Sequence, residues 1–162
     1  MGSKKLKSVL TSFSLIAAVI LFLASKFTLA VPSQEYSCLF ARYFLVDKTN
    51  VTVKRDRLVA FYLPVDTPYF PKGTRWIKKL VGIPGDRVLV NVDEVLINGK
   101  SYKNNIRQLL MKIEVPESAI TKEFILGEDE YFMVGETPLS YDSRFWGVIH
   151  VSDMIGDAYA ML

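Results

Sequence analysis

Residues 76–86 read Trp-Ile-Lys-Lys-Leu-Val-Gly-Ile-Pro-Gly-Asp, a run that places two lysines inside an otherwise apolar, strand-like segment and ends it at a Pro-Gly-Asp turn. A lysine buried in a strand is unfavourable unless it is paired or uncharged. An uncharged buried lysine is also the group that a serine needs for activation where no histidine is available. The alternative is that both lysines are solvated on an edge strand.

The two lysines face opposite ways, because successive side chains alternate across a strand. Lys78 shares the less charged face, with Trp76, Leu80 and Gly82, and is therefore the candidate for burial. Lys79 shares the other face, with Arg75, Ile77 and Val81. To act as a base near pH 7, a lysine must lower its pKa from about 10.4 by about three units, or about 4 kcal/mol, which desolvation can supply.

Length and composition limit the other possibilities. The chain has 162 residues, enough for one modest domain, and its net charge of +3 does not distinguish between classes of partner. It contains a single cysteine, Cys38, and a single histidine, His150. This excludes an internal disulfide and a Cys/His zinc cluster, and it leaves His150 as the base of any Ser-His-Asp triad. We expect no cofactor and no metal.

The N-terminus carries a candidate membrane anchor. Lys4, Lys5 and Lys7 precede residues 8–25, which are uncharged and mostly apolar. As a helix this stretch is about 27 Å long, enough to span a bilayer core. The basic flank predicts that the N-terminus lies inside and the remainder outside. We therefore expect an anchor over residues 1–31 and an exported domain over residues 32–162.

A cleaved signal peptide is the alternative to a retained anchor. Thr28, Leu29 and Ala30 form a passable cleavage site. Lys26, however, stands where a cleavage region is normally uncharged, and the apolar run is long for a signal peptide. The sequence favours the retained anchor, and both alternatives export the remainder of the chain.

The exported part is expected to be mainly β. Strands are predicted over residues 57–63, 75–81, 87–92, 94–97, 130–134 and 144–151. Asn98-Gly99 is a two-residue turn signal that leads into residues 100–102, whereas residues 104–115 fit either a short helix or a strand. Short strands at this spacing favour a sandwich or an irregular barrel.

Four further residues are candidates for a site. Ser37 comes six residues after Val31, so it lies within about 20 Å of the membrane exit, and Tyr36 and residues 38–40 favour an ordered setting. Asp142 and Arg144 are two apart, so on a strand they share a face and can pair, and Ser140 could bond to an amine. The alternatives are a loop serine and a surface ion pair worth about 1 kcal/mol or less.

These residues resemble the type I signal peptidase family. Residues 76–86 resemble its catalytic-lysine box, Gly135-Glu136 with residues 140–147 resembles its last box, and residues 56–61 resemble an intermediate box. Ser37 falls at the position of the family's nucleophile. The sequence departs from the family pattern at Leu39 and Phe40, where a proline is usual, and in the Gly-Asp-Asn that opens the last box.

The resemblance implies a signal-peptidase-like β-domain with one N-terminal transmembrane helix. It implies that Ser37 is the nucleophile, with its backbone N–H as one oxyanion donor, and that Lys78 is the general base. Ser140 would orient the lysine, and Asp142 and Arg144 would support the site as a salt bridge.

The small size, single anchor and Ser-Cys-Leu context are most similar to the conjugative-transfer branch of the family. That branch implies maturation of a pilin precursor at the bacterial inner membrane, with the catalytic domain in the periplasm and no nucleic-acid partner. Three alternatives stay open. They are a general type I signal peptidase, a catalytically inactive membrane-tethered β-domain of a secretion or pilus apparatus, and a thiol dyad of Cys38 and His150.

Overall fold

Two antiparallel sheets dominate the fold, as seen in a computed structural model that describes residues 2–31 and 37–161. The helices are α1 (Gly2–Lys26), α2 (Arg107–Lys112) and α3 (Ser143–Trp146). The strands are β1 (Phe27–Ala30), β2 (Tyr43–Asp47), β3 (Arg57–Tyr62), β4 (Arg75–Gly82), β5 (Arg87–Val90), β6 (Glu94–Ile97), β7 (Lys100–Lys103), β8 (Lys122–Ile125), β9 (Phe132–Val134) and β10 (Met154–Met161). The prediction of a mainly β domain with an N-terminal apolar helix is confirmed.

The strand order places the lysine-bearing strand near one edge of the larger sheet. The six-stranded sheet has the order β1-β2-β10-β3-β4-β9, and the four-stranded sheet has the order β7-β6-β5-β8. Strand β4 contributes to two separate cores, because Trp76 and Leu80 pack into one apolar cluster while Val81 packs into another. The two faces of β4 therefore have different surroundings.

Helix α1 continues directly into the sheet. Residues 7–26 have a mean hydropathy of 2.2 and are long and apolar enough to cross a membrane, and none of this stretch is buried in the protein. The Lys48 backbone N–H donates to the Lys26 carbonyl at 2.8 Å, and the Lys48 amine donates to the Ala24 carbonyl at 3.0 Å. The apolar stretch was predicted to reach Val31, but the helix ends at Lys26 and the next four residues pair with β2 as an edge strand.

The predicted Asn98-Gly99 turn is confirmed. Strands β5 and β6 pair, and β6 pairs with β7 so that Ile97 lies opposite Lys100. Asn98 and Gly99 form the two-residue turn between them, with φ values of 50° and 86°. Positive φ at both central positions is what a type I′ turn requires, and Asn-Gly is the pair that adopts it most readily.

The predicted strand over residues 144–151 is wrong. Residues 143–146 form the helical turn α3, whose first turn is capped by Asp142 through a 3.2 Å bond from the Arg144 N–H. Gly147, with φ of 95°, follows as its C-cap. An acidic residue that accepts a backbone N–H at a helix N-terminus favours the helical turn over continued strand pairing.

Residues 104–120 pack beside α3 and contain the short helix α2 that the sequence left undecided. Their apolar side chains Ile106, Leu109, Leu110 and Ile120 form a separate small cluster with Val92. Tyr141 and Phe145 pack against this cluster. The segment therefore supports the region around residues 140–146 from one side.

We expect Gly156→Ala to destabilise the protein by about 3 kcal/mol, since a Cβ at this position would overlap the Asp47 carbonyl oxygen of the neighbouring strand. Thermal or urea unfolding in detergent, followed by tryptophan fluorescence, measures the change. Ala160→Gly in the exposed part of the same strand is the control and should cost about 0.5–1 kcal/mol. Equal losses in the two variants would contradict the packing argument.

Candidate active site

The Lys78 side chain is buried, as the alternation along the strand predicts. It is 0% exposed on β4, whereas Lys79 on the opposite face is partly exposed and pairs with Glu136 at 2.5 Å. The aromatic ring of Trp76 lies 4.6 Å from the Lys78 amine, measured to the ring centroid. The alternative of two solvated lysines is therefore excluded for Lys78.

A chain of hydrogen bonds holds the Lys78 amine. One amine N–H donates to the Ser140 hydroxyl at 3.0 Å, and that hydroxyl donates to the Asp142 carboxylate at 3.0 Å. Because the Ser140 proton is directed at a carboxylate, the serine oxygen accepts from the lysine and the lone pair of a neutral amine points elsewhere. The Cys38 side chain also lies near the amine and raises its pKa.

Asp142 and Arg144 form a buried pair rather than a surface one. The guanidinium donates to the two carboxylate oxygens from Nε at 2.8 Å and from a terminal nitrogen at 2.7 Å, and both side chains are 0% exposed. The Gly135 N–H adds a bond to the carboxylate at 3.0 Å, and Arg144 also donates to the Asn104 carbonyl at 2.7 Å. A buried pair satisfied in this way keeps its geometry, whereas removal of one partner leaves an uncompensated charge.

Burial lowers the pKa of the Lys78 amine from its ordinary value, and the nearby Cys38 and Asp142 side chains only partly oppose this shift. For Asp142, burial alone would raise the pKa, but the Arg144 guanidinium, the Lys78 amine and the Gly135 N–H together outweigh burial, so that the pKa of this carboxyl lies below its usual range. The site thus shifts the amine towards its uncharged form and the carboxyl towards its charged form. A neutral amine at near-neutral pH is a proton acceptor.

Ser37 lines the same cavity as Lys78. This cavity has a volume of about 590 Å³ and is also lined by Cys38, Leu39 and Trp76. Ser37 is exposed, and its hydroxyl donates a short hydrogen bond to the Leu39 carbonyl. The hydroxyl must therefore leave this carbonyl before it can give its proton to an amine.

The segment that carries Ser37 is attached to residues 135–137. The Glu136 N–H donates to the Cys38 carbonyl at 2.8 Å, and the Thr137 hydroxyl donates to the Ser37 carbonyl at 2.7 Å. A Cβ on Gly135 would overlap the Ser140 hydroxyl, so glycine permits this close approach. Tyr36, expected to help order the site, lies outside the described residues.

The structure thus brings Lys78, Ser140, Asp142 and Arg144 into direct contact and places Ser37 at the same cavity. Sequence reasoning missed the contribution of Asn104, whose side chain donates to the Gly135 carbonyl at 2.8 Å. No local pattern marks this residue, because its partners lie 31 and 40 positions away along the chain. His150, the other member of the thiol dyad, does not line the cavity of Ser37 and Cys38, and its ring bonds to the Asp129 carbonyl at 2.7 Å.

Comparison with known proteins agrees with the motifs. A family model described as "Signal peptidase, peptidase S26" matches residues 3–162. The chain is 31% identical to a probable signal peptidase I-2 of Synechocystis over 52% of its own length and 36% of the relative's. It is 23% identical to a signal peptidase I of Bacillus caldolyticus over 87% of its length and 80% of the relative's. The first of these matches thus spans about a third of the relative.

A solved structure also matches part of the chain. It is a crystal structure of a signal peptidase I from Enterococcus faecalis V583, with 28% sequence identity and a TM-score of 0.43. The match covers 64% of this chain and 94% of that one.

The burial of Lys78 predicts a pH-dependent stability that Lys78→Met removes. Between the lowered pKa of the folded state and the ordinary value near 10.4, the unfolded chain binds one more proton, so stability rises with pH by up to about 1.4 kcal/mol per unit. Below the lowered pKa both the folded and the unfolded chain carry this proton, so the amine no longer makes stability change with pH. The unfolding free energy of the wild type minus that of Lys78→Met, measured from pH 6 to 10, should therefore rise with pH.

Lys79→Met is the matched control, because this amine is partly exposed in its pair with Glu136. The difference between wild type and this variant should stay small across the same range. A difference curve for Lys78→Met that is flat from pH 6 to 10 would contradict the buried, neutral amine.

Proposed function

The chain belongs to the signal peptidase family, peptidase S26, and on that premise we propose that it is a membrane-anchored serine peptidase that removes leader peptides from exported precursor proteins. The observation that carries the proposal is the buried Lys78 amine at the cavity that Ser37 lines. Ser37 is the nucleophile and Lys78 the general base. Ser140, Asp142 and Arg144 position the base.

The reaction begins when the Ser37 hydroxyl turns away from the Leu39 carbonyl. The neutral Lys78 amine takes the hydroxyl proton while the serine oxygen bonds to the scissile carbonyl carbon. The resulting oxyanion accepts a hydrogen bond from the Ser37 backbone N–H. When the tetrahedral intermediate collapses, the lysine ammonium gives its proton to the departing amine, and the leader remains as an ester on Ser37.

Hydrolysis of the ester repeats the same steps with water. Lys78, neutral again, takes a proton from a water molecule as its oxygen attacks the ester carbonyl. Collapse returns a proton to the Ser37 oxygen and releases the leader with a free carboxylate. Ser140 assists throughout because it accepts one amine N–H, which leaves the lone pair directed away from Asp142.

Helix α1 is the retained anchor in this proposal, with the remainder of the chain as the exported peptidase domain. The length and hydropathy of residues 7–26 support a membrane span, and the lysines before it support an N-terminus on the inner side. Cleavage after Ala30 would remove β1 from the six-stranded sheet, which favours retention. The domain then faces the periplasm of a bacterial inner membrane.

A pilin precursor is the narrower candidate substrate, and a range of exported precursors is the broader one. The Ser37-Cys38-Leu39 context supports the narrower one, whereas the relatives named signal peptidase I support the broader one. Depletion of the protein separates them. Accumulation of one pilin precursor supports the dedicated enzyme, and accumulation of many unrelated precursors contradicts it.

Ser37→Ala and Lys78→Ala should each abolish precursor processing, because one removes the attacking oxygen and the other removes the proton acceptor. Lys54→Ala is the control and should process normally, since the Lys54 side chain is exposed and lines no part of the cavity of Ser37 and Lys78. Quantitative immunoblotting of precursor and mature protein measures the effect.

The same experiment tests the alternatives. Normal processing by Ser37→Ala or Lys78→Ala would contradict the mechanism and leave the inactive tethered domain as the better explanation. Loss of processing in Lys79→Ala with retention in Lys78→Ala would show that the base is the other lysine. Loss of precursor processing in both Cys38→Ala and His150→Ala, with normal processing by Ser37→Ala, would support the thiol dyad.

A further inference from the structure

A second cavity lies on the opposite face of β4 from the Lys78 amine. We infer that it binds the mature side of the precursor, meaning the residues that follow the scissile bond; this rests on the proposed peptidase function. The cavity has a volume of about 250 Å³, and its lining includes Phe40, Lys79, Val95, Asn104, Val134 and Glu136. This is smaller than the roughly 300 Å³ at which drug-sized ligand pockets begin, so it suits one or two residues of an extended chain.

The segment from Ser37 to Phe40 joins the two cavities. Ser37 lines the larger cavity and Phe40 lines the smaller one. Three residues of extended chain cover about 10 Å, so a peptide with its scissile carbonyl at Ser37 reaches both. With the leader side in the larger cavity beside Lys78, the chain beyond the scissile bond continues towards Phe40.

The wall of the smaller cavity is held by the residues that hold the nucleophile segment. The Phe40 N–H donates to the Glu136 carboxylate at 3.3 Å, and the Glu136 N–H donates to the Cys38 carbonyl at 2.8 Å. Glu136 is itself paired with Lys79 at 2.5 Å. The position of the cavity relative to Ser37 is thus set by direct hydrogen bonds and an ion pair.

Asn104 gives the cavity an acceptor without a partner among the described residues. Its amide nitrogen donates to the Gly135 carbonyl at 2.8 Å, which directs the amide oxygen away from that carbonyl. The residue is 9% exposed, and its side-chain oxygen is buried with no hydrogen bond in the described part of the chain. A buried acceptor left unpaired costs about 1–3 kcal/mol, and a backbone N–H of a bound peptide would satisfy it.

The lining also includes the charged side chains of Lys103 and Arg144, and only part of it is apolar. Val95 and Val134 form buried wall positions, while the ring of Phe40 is 80% exposed. An aromatic ring next to a reaction centre and open to water offers contact area that a substrate side chain can cover. An extended peptide supplies both the N–H for Asn104 and an apolar side chain for Phe40.

The test compares two peptides with the same leader side, which ends in Ala-X-Ala. One carries an aminomethylcoumarin group directly after the scissile carbonyl, and the other continues through five mature-side residues. The ratio of kcat/KM for the long and the short peptide is measured with the full chain in detergent. Phe40→Ala should lower this ratio about tenfold, and Phe40→Leu, which keeps an apolar wall, should restore most of it.

Tyr62→Ala is the matched control, because Tyr62 is a 47% exposed aromatic residue that lines neither cavity. Its ratio should equal that of the wild type. An equal loss on both peptides in Phe40→Ala would overturn the inference, since it would mean that Phe40 only positions the Ser37 segment. An unchanged ratio would also overturn it. If the wild type shows no Ser37-dependent cleavage of either peptide, the proposed function itself is wrong.

Discussion

The hydrogen bond from the Lys78 amine to the Ser140 hydroxyl links the buried lysine of β4 to the buried pair of Asp142 and Arg144. A fully buried amine loses its hydration, and this loss lowers its pKa. The amine then needs a partner that orients it without restoring its charge. The Ser140 hydroxyl meets this need because its own proton is directed at Asp142, and Asp142 is in turn neutralised by Arg144. Removal of any member would leave a buried polar group unpaired.

The two faces of β4 place two adjacent lysines in different environments. Lys78 projects to the face that carries Trp76 and Leu80, where burial lowers the pKa of its amine. Lys79 projects to the other face and is neutralised by Glu136, which also bonds to the segment that carries Ser37. Adjacent lysines thus serve opposite electrostatic purposes, because a strand presents successive side chains to different environments.

Short-range patterns predicted the parts of the structure that local chemistry decides. The Asn98-Gly99 turn and the assignment of Lys78 to the buried face follow from φ preferences and alternation. The error at residues 144–151 arose because Asp142 acts as a helix cap, and the sequence alone does not distinguish a capping acid from a strand acid. Strand β10 was missed because its Asp157 is a polar residue in a buried position, held by a 2.9 Å bond from the distant Thr52 N–H. Asn104 was missed for the same reason, since its hydrogen-bond partners are remote in sequence.

The direct passage from helix α1 into strand β1 leaves no linker at the membrane surface. Since Lys48 bonds to the carbonyls of Ala24 and Lys26, the domain has little freedom to swivel about the helix axis. With α1 in the bilayer, the height and tilt of the cleft above the lipid headgroups are constant. Under the proposed function, the enzyme and a membrane-bound precursor would meet by lateral diffusion within one plane, and a peptide bond at any other distance from the bilayer would not be cleaved, whatever its sequence.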